Sequence, residues 1–198
     1  MKFLSSLTWL ALPLCLFSLS CGTSVKPLAE EEVPKEKPIY LEESENTFWH
    51  NVEGDGPFRV EISLGSQVAS FYKGSVLTGQ SIVATGRSGH ATPTGSFRIT
   101  EKIVDKHSNI YGKIYGANGE LVNGSANTKQ DSVPTGGKFV GAPMPYWMRL
   151  TSYGIGMHVG PIPYPGSPAS HGCIRLPEGP ARLVFASAKV GTPVKIIP

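Results

Sequence analysis

The residues best suited to chemistry lie in the segment 170–176, which reads Ser-His-Gly-Cys-Ile-Arg-Leu and has Cys173 at its centre. His158 lies fifteen positions before this cysteine. A free thiol is mostly protonated near neutral pH, so it needs a neighbouring base before it can act as a nucleophile. A cysteine with a separate histidine is the minimal pair for acyl transfer through a thioester. We therefore predict Cys173 as the nucleophile and His158 as its base, a pairing that would lower the pKa of the thiol.

The neighbours of Cys173 could support the same chemistry. Gly172 permits the close approach of the main chain that an oxyanion hole requires, and Ser170 is expected to brace the turn by hydrogen bonding. Arg175 could hold a substrate carboxylate in the fork of its guanidinium group. A salt bridge that fixes the loop would explain Arg175 equally well, and the sequence leaves both roles open.

A zinc site is an alternative use of the same residues. His158, His171 and Cys173 could supply three ligands and leave a fourth position open. The chain has neither a Cys-x-x-Cys nor a His-Glu-x-x-His pattern to support this use. We therefore expect no metal and no other cofactor.

Three motifs in order give the chain a family resemblance. They are the segment 170–176 preceded by Met-His at 157–158, the segment 86–97 (Gly-Arg-Ser-Gly-His-Ala-Thr-Pro-Thr-Gly-Ser-Phe) and the segment 144–150 (Met-Pro-Tyr-Trp-Met-Arg-Leu). Over about residues 57 to 198 the sequence resembles the L,D-transpeptidases, the YkuD-type catalytic domain. The resemblance implies a mainly β, sandwich-like catalytic domain with one or two short helices. It also implies that His171 shapes the oxyanion region, although His171 could instead compete as the base.

The resemblance also implies a reaction and its partners. Cys173 would attack the third-position residue of a peptidoglycan stem peptide, release D-alanine and pass the acyl group to an amine. Carbapenems would acylate the same thiol. Two alternatives remain open: an L,D-carboxypeptidase or hydrolase that passes the acyl group to water, and a non-catalytic lipoprotein that binds the cell wall.

The N-terminal segment predicts export. Residues 1–20 have one early lysine and then an apolar run, which is typical of a signal peptide. Cys21 follows in a context that resembles a bacterial lipobox, so we expect it to carry lipid and to anchor the protein on the periplasmic side of a membrane in the cell envelope. Cys15 would leave with the signal, and Cys173 would remain as a lone thiol in an oxidising compartment, where such a thiol calls for a function.

Charge divides the mature chain into two regions. Residues 21–55 comprise the lipidated Cys21 and an acidic flexible tether, because nine acids, three lysines and few large apolar residues over 22–55 disfavour a packed core. The catalytic domain, 56–198, carries 14 Lys and Arg against 6 Asp and Glu, a formal charge of +8. Such a domain favours an acidic partner. Nucleic acid is excluded as that partner by the predicted export.

Elements that alternate apolar and polar residues must position the site. The pattern predicts strands over 58–64, 67–72, 77–85, 95–104, 145–152 and 155–159, with the last two delivering His158. It predicts one helix over 177–188 and an edge strand over 193–197. The segment 105–143, here called the flap, is expected to be a long irregular loop over the site with a short hairpin near 110–122.

Overall fold

The structure is a computed structural model and describes residue 44, residues 46–50 and residues 55–198. The predicted signal peptide, Cys21 and most of the predicted tether lie outside these residues. Within them no helix has the length and apolar character needed to cross a membrane. The described elements are β1 (Phe48–Trp49), β2 (Phe58–Ser63), β3 (Val68–Lys73), β4 (Val76–Ile82), β5 (Gly95–Arg98), β6 (Glu101–Ile103), β7 (His107–Tyr115), β8 (Leu121–Asn127), β9 (Lys138–Pro143), β10 (Trp147–Arg149), β11 (Gly156–Val159), β12 (Ile174–Leu176), α1 (Glu178–Ser187) and β13 (Pro193–Ile197). The prediction of a mainly β domain with a short helix is confirmed.

One sheet has six strands in the order β1-β4-β3-β2-β13-β5. The predicted hairpin is present as β2 and β3, which pair antiparallel. The prediction of an edge strand at the C-terminus is wrong, because β13 pairs parallel with β2 and antiparallel with β5. Val194 and Ile196 are buried on its inner face, and Pro193 occupies its first residue, where a missing N–H is tolerated.

The second sheet has four strands in the order β12-β11-β10-β6. The single strand predicted over 95–104 is divided between the two sheets. Ile99 donates its N–H to Thr192 O on one side, whereas Thr100 donates to Arg149 O on the other. The chain therefore crosses between the sheets at this pair of residues. As predicted, β10 and β11 lie inside their sheet and present His158.

One cluster of buried apolar side chains joins the two sheets and α1. It includes Ile62 and Phe71 from the first sheet, Met157 and Ile174 from the second, and Val184 from the helix. Burial of each such side chain contributes on the order of 2 kcal/mol. Since α1 packs behind β11, the back of the strand that carries His158 is fixed by the core.

The helix begins at Glu178 and ends at Ser187, close to the predicted bounds. Pro180 lies in its first turn, where its missing N–H breaks no helical bond, and Glu178 opposes the positive end of the helix dipole. Lys102 of β6 donates from Nζ to Phe185 O at 2.6 Å and to Ala188 O at 2.5 Å. The second sheet therefore caps the helix end that has no basic residue of its own.

The flap is a folded sheet rather than the predicted long irregular loop, although the short hairpin predicted near 110–122 is present as β7 and β8. Strands β8, β7 and β9 form a three-stranded antiparallel sheet in that order. Pairing is irregular, with register shifts along β7 at 112–115. The sequence did not predict all three strands, because Gly and Asn, which are abundant here, have low strand propensity. The apolar side chains also do not alternate regularly with polar ones.

Candidate active site

The parallel pairing of β11 and β12 brings the predicted nucleophile and base together. In this register His158 lies opposite Arg175. Cys173 comes two residues before Arg175, so both side chains project to the same face of the sheet. Cys173, His158 and Arg175 all line one cavity of about 670 Å³. Met157 and Ile174 point to the opposite face and are fully buried in the core.

The turn that presents Cys173 depends on a glycine. Gly172 has a φ of +111°, a conformation that residues with a side chain rarely adopt. A Cβ atom at this position would lie 2.7 Å from Ile155 Cδ1. The predicted bracing by Ser170 is present, because its Oγ donates to Cys173 O at 2.5 Å and accepts from Gly172 N at 3.0 Å. The N–H of Gly172 therefore serves the turn, and its predicted part in an oxyanion hole stays a prediction.

A second hydroxyl ties the nucleophile turn to the motif at 86–97. Thr92 Oγ1 donates to Gly172 O at 2.8 Å and accepts from Gly86 N at 2.8 Å. Gly86 has no room for a side chain, since a Cβ atom would overlap the carbonyl oxygen of His90. The segment that the sequence singled out by resemblance alone thus acts by holding the backbone around Cys173.

A buried amide extends this support to the first sheet. Gln67 is 1% exposed, donates from Nε2 to Thr85 Oγ1 at 2.7 Å and accepts from Thr85 N at 2.8 Å. The carbonyl oxygen of Thr85 accepts the N–H groups of Ala169 and Ser170, both at 2.9 Å. The position of the nucleophile turn is therefore set by hydrogen bonds from a hairpin far away in the sequence.

The orientation of His158 is fixed from two sides. Its Nδ1 lies 2.7 Å from Val159 O, and since a carbonyl only accepts, Nδ1 carries the proton and Nε2 keeps its lone pair. The indole of Trp147 lies against the imidazole with ring centroids 5.9 Å apart. Trp147 is itself held by Nε1, which donates to Glu101 Oε2 at 3.0 Å.

The resting state of the pair differs from the sequence expectation. Burial lowers the pKa of His158 to about 4, and the nearby positive charge of Arg175 adds to this effect against the opposing bond to Val159 O. Burial raises the pKa of the Cys173 thiol, although the N–H of Gly156 and the charge of Arg175 oppose it. The expected lowering of the thiol pKa is therefore wrong for the free site. The Sγ of Cys173 lies 3.7 Å from the acceptor Gly154 O.

His171 lies at the junction of three segments. Its ring stacks on Tyr111 of the flap at 4.3 Å and meets His90 edge-on at 4.7 Å. The guanidinium of Arg87 lies 2.9 Å from Nε2 and 3.4 Å from Nδ1. A guanidinium only donates and a neutral imidazole has one lone pair, so Arg87 occupies that lone pair. Burial and then Arg87 lower the pKa of His171, and this geometry favours His158 over His171 as the base.

Arg175 is held by hydrogen bonds to loop carbonyls rather than by an ion pair. Its Nη1 lies 3.4 Å from both Pro161 O and Ala169 O. The ion pairs of the described residues do not include Arg175. Its side chain passes over Gly160, where a Cβ atom would lie 2.8 Å from Arg175 Cγ. The salt-bridge explanation left open by the sequence is therefore not supported.

The zinc alternative has no geometric support. Across residue 44, residues 46–50 and residues 55–198, no three His, Cys, Asp or Glu side chains form a group that could hold a metal ion. The lone pair of His171 is also occupied by Arg87, as described above.

Several residues that support the site could not be identified from the sequence. Thr92, Arg87 and Tyr111 act through contacts with residues more than 59 positions away in the chain. The motif around Thr92 indicated a functional segment, but it did not indicate what Thr92 itself does. Glu101, which holds Trp147 and also pairs with Arg149 through Oε2 at 3.0 Å, gave no signal, because it alternates within an ordinary strand pattern.

We expect the substitution Thr92→Val to slow acylation of Cys173 by about 10-fold, because misplacement of the nucleophile turn is costly to reaction geometry. The same change leaves two backbone groups without a partner, so the free energy of unfolding should fall by about 1–3 kcal/mol. Acylation followed by intact-mass spectrometry, together with thermal denaturation, measures both. Thr94→Val, on the exposed part of the same loop, is the matched control, and equal effects of the two variants would contradict the role of Thr92.

We also expect stability to depend on pH through His158. Its folded-state pKa of about 4 lies below the ordinary 6.5, so the unfolded chain binds the proton first as the pH falls. The stabilisation is complete above pH 6.5 and is lost as the pH falls to about 4, by up to about 3 kcal/mol. Urea denaturation of the wild type and of His158→Gln across this range isolates the contribution. Parallel pH profiles for the two proteins would show that His158 does not rest buried and neutral.

Comparisons with known proteins identify a family and a shared fold. The family model YkuD, the L,D-transpeptidase catalytic domain, matches residues 57–196. An L,D-transpeptidase from Mycobacterium smegmatis aligns with a TM-score of 0.54 at 16% identity, covering 71% of this chain and 58% of that chain. An Enterococcus faecium L,D-transpeptidase mutant aligns with a TM-score of 0.52 at 23% identity, covering 72% and 50%. The LD transpeptidase LdtMt1, solved in complex with imipenem, gives a TM-score of 0.53 at 19% identity, covering 71% and 58%.

The similarity to the solved structures supports a conclusion about the fold only. At such identities the solved structures show a shared fold, and this chain spans less than two thirds of the length of each of these three chains. A search of curated protein sequences finds no match. The family model, however, covers more than half of the chain and includes His158, Cys173 and Arg175. The chain therefore belongs to the YkuD family of L,D-transpeptidase catalytic domains.

Proposed function

We propose that this protein is a peptidoglycan L,D-transpeptidase that works through a thioester on Cys173. The observation that carries the proposal is the fixed tautomer of His158. Because Nδ1 is bonded to Val159 O, the lone pair of Nε2 is the one free to take a proton, and His158 and Cys173 line the same cavity. The family and its fold support the same class of reaction.

In the first half-reaction, Cys173 Sγ attacks the carbonyl carbon of the third residue of a donor stem. The thiol proton moves to Nε2 of His158 as the C–S bond forms. Collapse of the tetrahedral intermediate breaks the peptide bond to the terminal D-alanine, and His158 gives the proton to the departing amine. The donor is then held as a thioester and His158 is neutral again.

In the second half-reaction, an amine of another stem attacks the thioester carbonyl. His158 takes a proton from the amine, the C–S bond breaks, and His158 returns a proton to Cys173. A neutral pair at rest is suited to this sequence, because the imidazole is free to accept a proton at both attacks. Arg175, half-buried beside Cys173, would hold a substrate carboxylate through its guanidinium group.

We expect a carbapenem to add one covalent mass to the wild-type protein, because the lone thiol of the cavity is the acylatable group. Cys173→Ala should show no adduct, and His158→Gln should acylate at least about 100-fold more slowly, since general-base assistance contributes on the order of 10²–10⁴. Intact-mass spectrometry measures both. If neither the wild type nor Cys173→Ala forms an adduct while both are folded, the proposal is contradicted and a non-catalytic wall-binding domain is favoured.

The acceptor is identified by incubating a purified tetrapeptide stem with the same protein and analysing the products. Cross-linked dimers that require Cys173 support transpeptidation. Shortened stems without dimers, formed even at high amine concentration, would overturn transpeptidation and establish an L,D-carboxypeptidase.

We further propose that the protein is anchored by lipid on Cys21 on the periplasmic side of the cell envelope. The support is the sequence pattern of residues 1–21, which lies outside the described structure. In cells, the wild type should fractionate with membranes and Cys21→Ala should be released into the soluble fraction. Equal membrane association of the two proteins would contradict the anchor.

A further inference from the structure

A second cavity, of about 930 Å³, lies at one end of the six-stranded sheet. Its described lining has no residue in common with that of the active-site cavity. The lining comes from β1 and β4, from the neighbouring ends of β2, β3 and β5, and from the segment that joins α1 to β13. A cavity of this volume can hold a small organic ligand.

Two half-buried aromatic rings, those of Trp49 and Phe58, form the apolar part of the second cavity. Their ring centroids are 6.2 Å apart, and the centroid of Trp49 lies 5.5 Å from that of the buried Phe71. A Cβ atom at Gly79 would lie 2.8 Å from Trp49 Cε3, so the indole lies directly against the backbone of β4. The fold therefore fixes both rings and offers a ligand a firm apolar surface.

The charged part of the lining is positive. It includes Lys73, Arg98 and Lys189, and none of its described residues is Asp or Glu. Arg98 donates from Nη1 to Gly191 O at 2.8 Å, which holds the guanidinium at the cavity. The ion pairs of the described part of the chain include none of these three cations. Positive charge that no carboxylate offsets attracts anions to a concave surface.

Two buried hydroxyl groups add hydrogen-bonding capacity of both kinds. Thr78 Oγ1 donates to Phe71 O at 3.1 Å, so its lone pairs face a ligand as acceptors. Thr192 Oγ1 accepts the N–H of Lys189 at 2.9 Å, so its own proton can be donated. A ligand with hydroxyl groups would find a partner for each.

These aromatic, cationic and hydroxyl groups match one class of small molecule. A sugar ring has an apolar face of C–H groups, which packs on aromatic rings, and hydroxyl groups around its edge. A carboxylate on that ring would meet the cations. A membrane surface is a poorer match, because aromatic residues that bind a bilayer insert into it, whereas Trp49 and Phe58 are half-buried inside a cavity.

We propose that the second cavity is a non-catalytic binding site for an acidic saccharide, a sugar ring that bears a carboxylate. Trp49 and Phe58 hold the apolar face of the ring, and Lys73, Arg98 and Lys189 hold the carboxylate. The site attaches the domain to an acidic polysaccharide and makes or breaks no bond. It is therefore independent of the reaction proposed for Cys173.

The test titrates the ¹⁵N-labelled protein with methyl β-glucuronide, with methyl β-glucoside, which has a hydroxymethyl group in place of the carboxylate, and with acetate. The indole N–H signals report on the two cavities separately, because Trp49 lines the second cavity and Trp147 lines the active-site cavity. Trp49→Phe assigns the first signal. The glucuronide should shift the Trp49 signal and leave the Trp147 signal in place. Its Kd should be lower than those of glucoside and acetate by about 10-fold and should rise with salt.

Variants of exposed lysines assign the binding to the cavity without disturbing the packed rings. Lys73→Gln and Lys189→Gln should each raise the Kd for the glucuronide by about 2- to 5-fold, the range of partly exposed ion pairs. The double variant should raise it by about 10-fold. The matched control is Lys195→Gln, an exposed position of β13 outside both described linings, which should leave the Kd unchanged.

The outcomes separate this inference from the proposed function. Equal Kd values for glucuronide and glucoside, or for glucuronide and acetate, would overturn an acidic-saccharide site. A Kd that survives the double lysine variant, or rises equally in Lys195→Gln, would also overturn it. A Trp49 signal that responds to phosphatidylglycerol vesicles but not to the glucuronide would assign the surface to a membrane instead. Failure of a carbapenem to acylate Cys173 would defeat the proposed function and leave this inference standing.

Discussion

The register between β11 and β12 is the constraint on which the site depends. Parallel pairing places His158 opposite Arg175, and the two-residue repeat of a strand brings Cys173 to the same face. A shift of one residue would send the thiol into the core and a core side chain into the cavity. Met157, Ile174 and α1 on the opposite face resist such a shift, so the packing of the core sets the geometry of the reaction.

Precision at the nucleophile comes from hydrogen bonds that reach across the fold. Ser170 and Thr92 hold the two carbonyls that flank the Cα atom of Cys173, and Gln67 holds Thr85, the residue after β4 on which Ser170 docks. None of these side chains needs to touch substrate. They explain how Gly172 can retain a backbone conformation that suits glycine, and how a thiol and an imidazole stay buried yet correctly oriented until a substrate arrives.

The sequence predicted the mainly β fold class and offered candidate site residues, but it did not predict how the strands pair. Cys173 and His158 could be found from residue types and a motif, and Ser170 from its proximity to the turn. The flap sheet and the division of 95–104 between two sheets could not be found, because they depend on long-range pairing that local patterns do not encode. The thiol pKa was mispredicted because burial, which raises the pKa of Cys173 and lowers that of His158, is visible only when the chain is folded.

We infer that Cys173 and His158 rest as a neutral pair, because burial raises the pKa of the thiol and lowers the pKa of the imidazole, and that the proton moves only during attack. The direct measurement is the rate of alkylation of Cys173 by iodoacetamide as a function of pH, in the wild type and in His158→Gln. We expect slow alkylation at neutral pH, with the rate rising only above pH ~8.5, the range of an ordinary or raised thiol pKa. A fast rate that is constant from about pH 5 to 8 and is lost in His158→Gln would reveal a resting thiolate paired with imidazolium and would contradict the neutral resting pair.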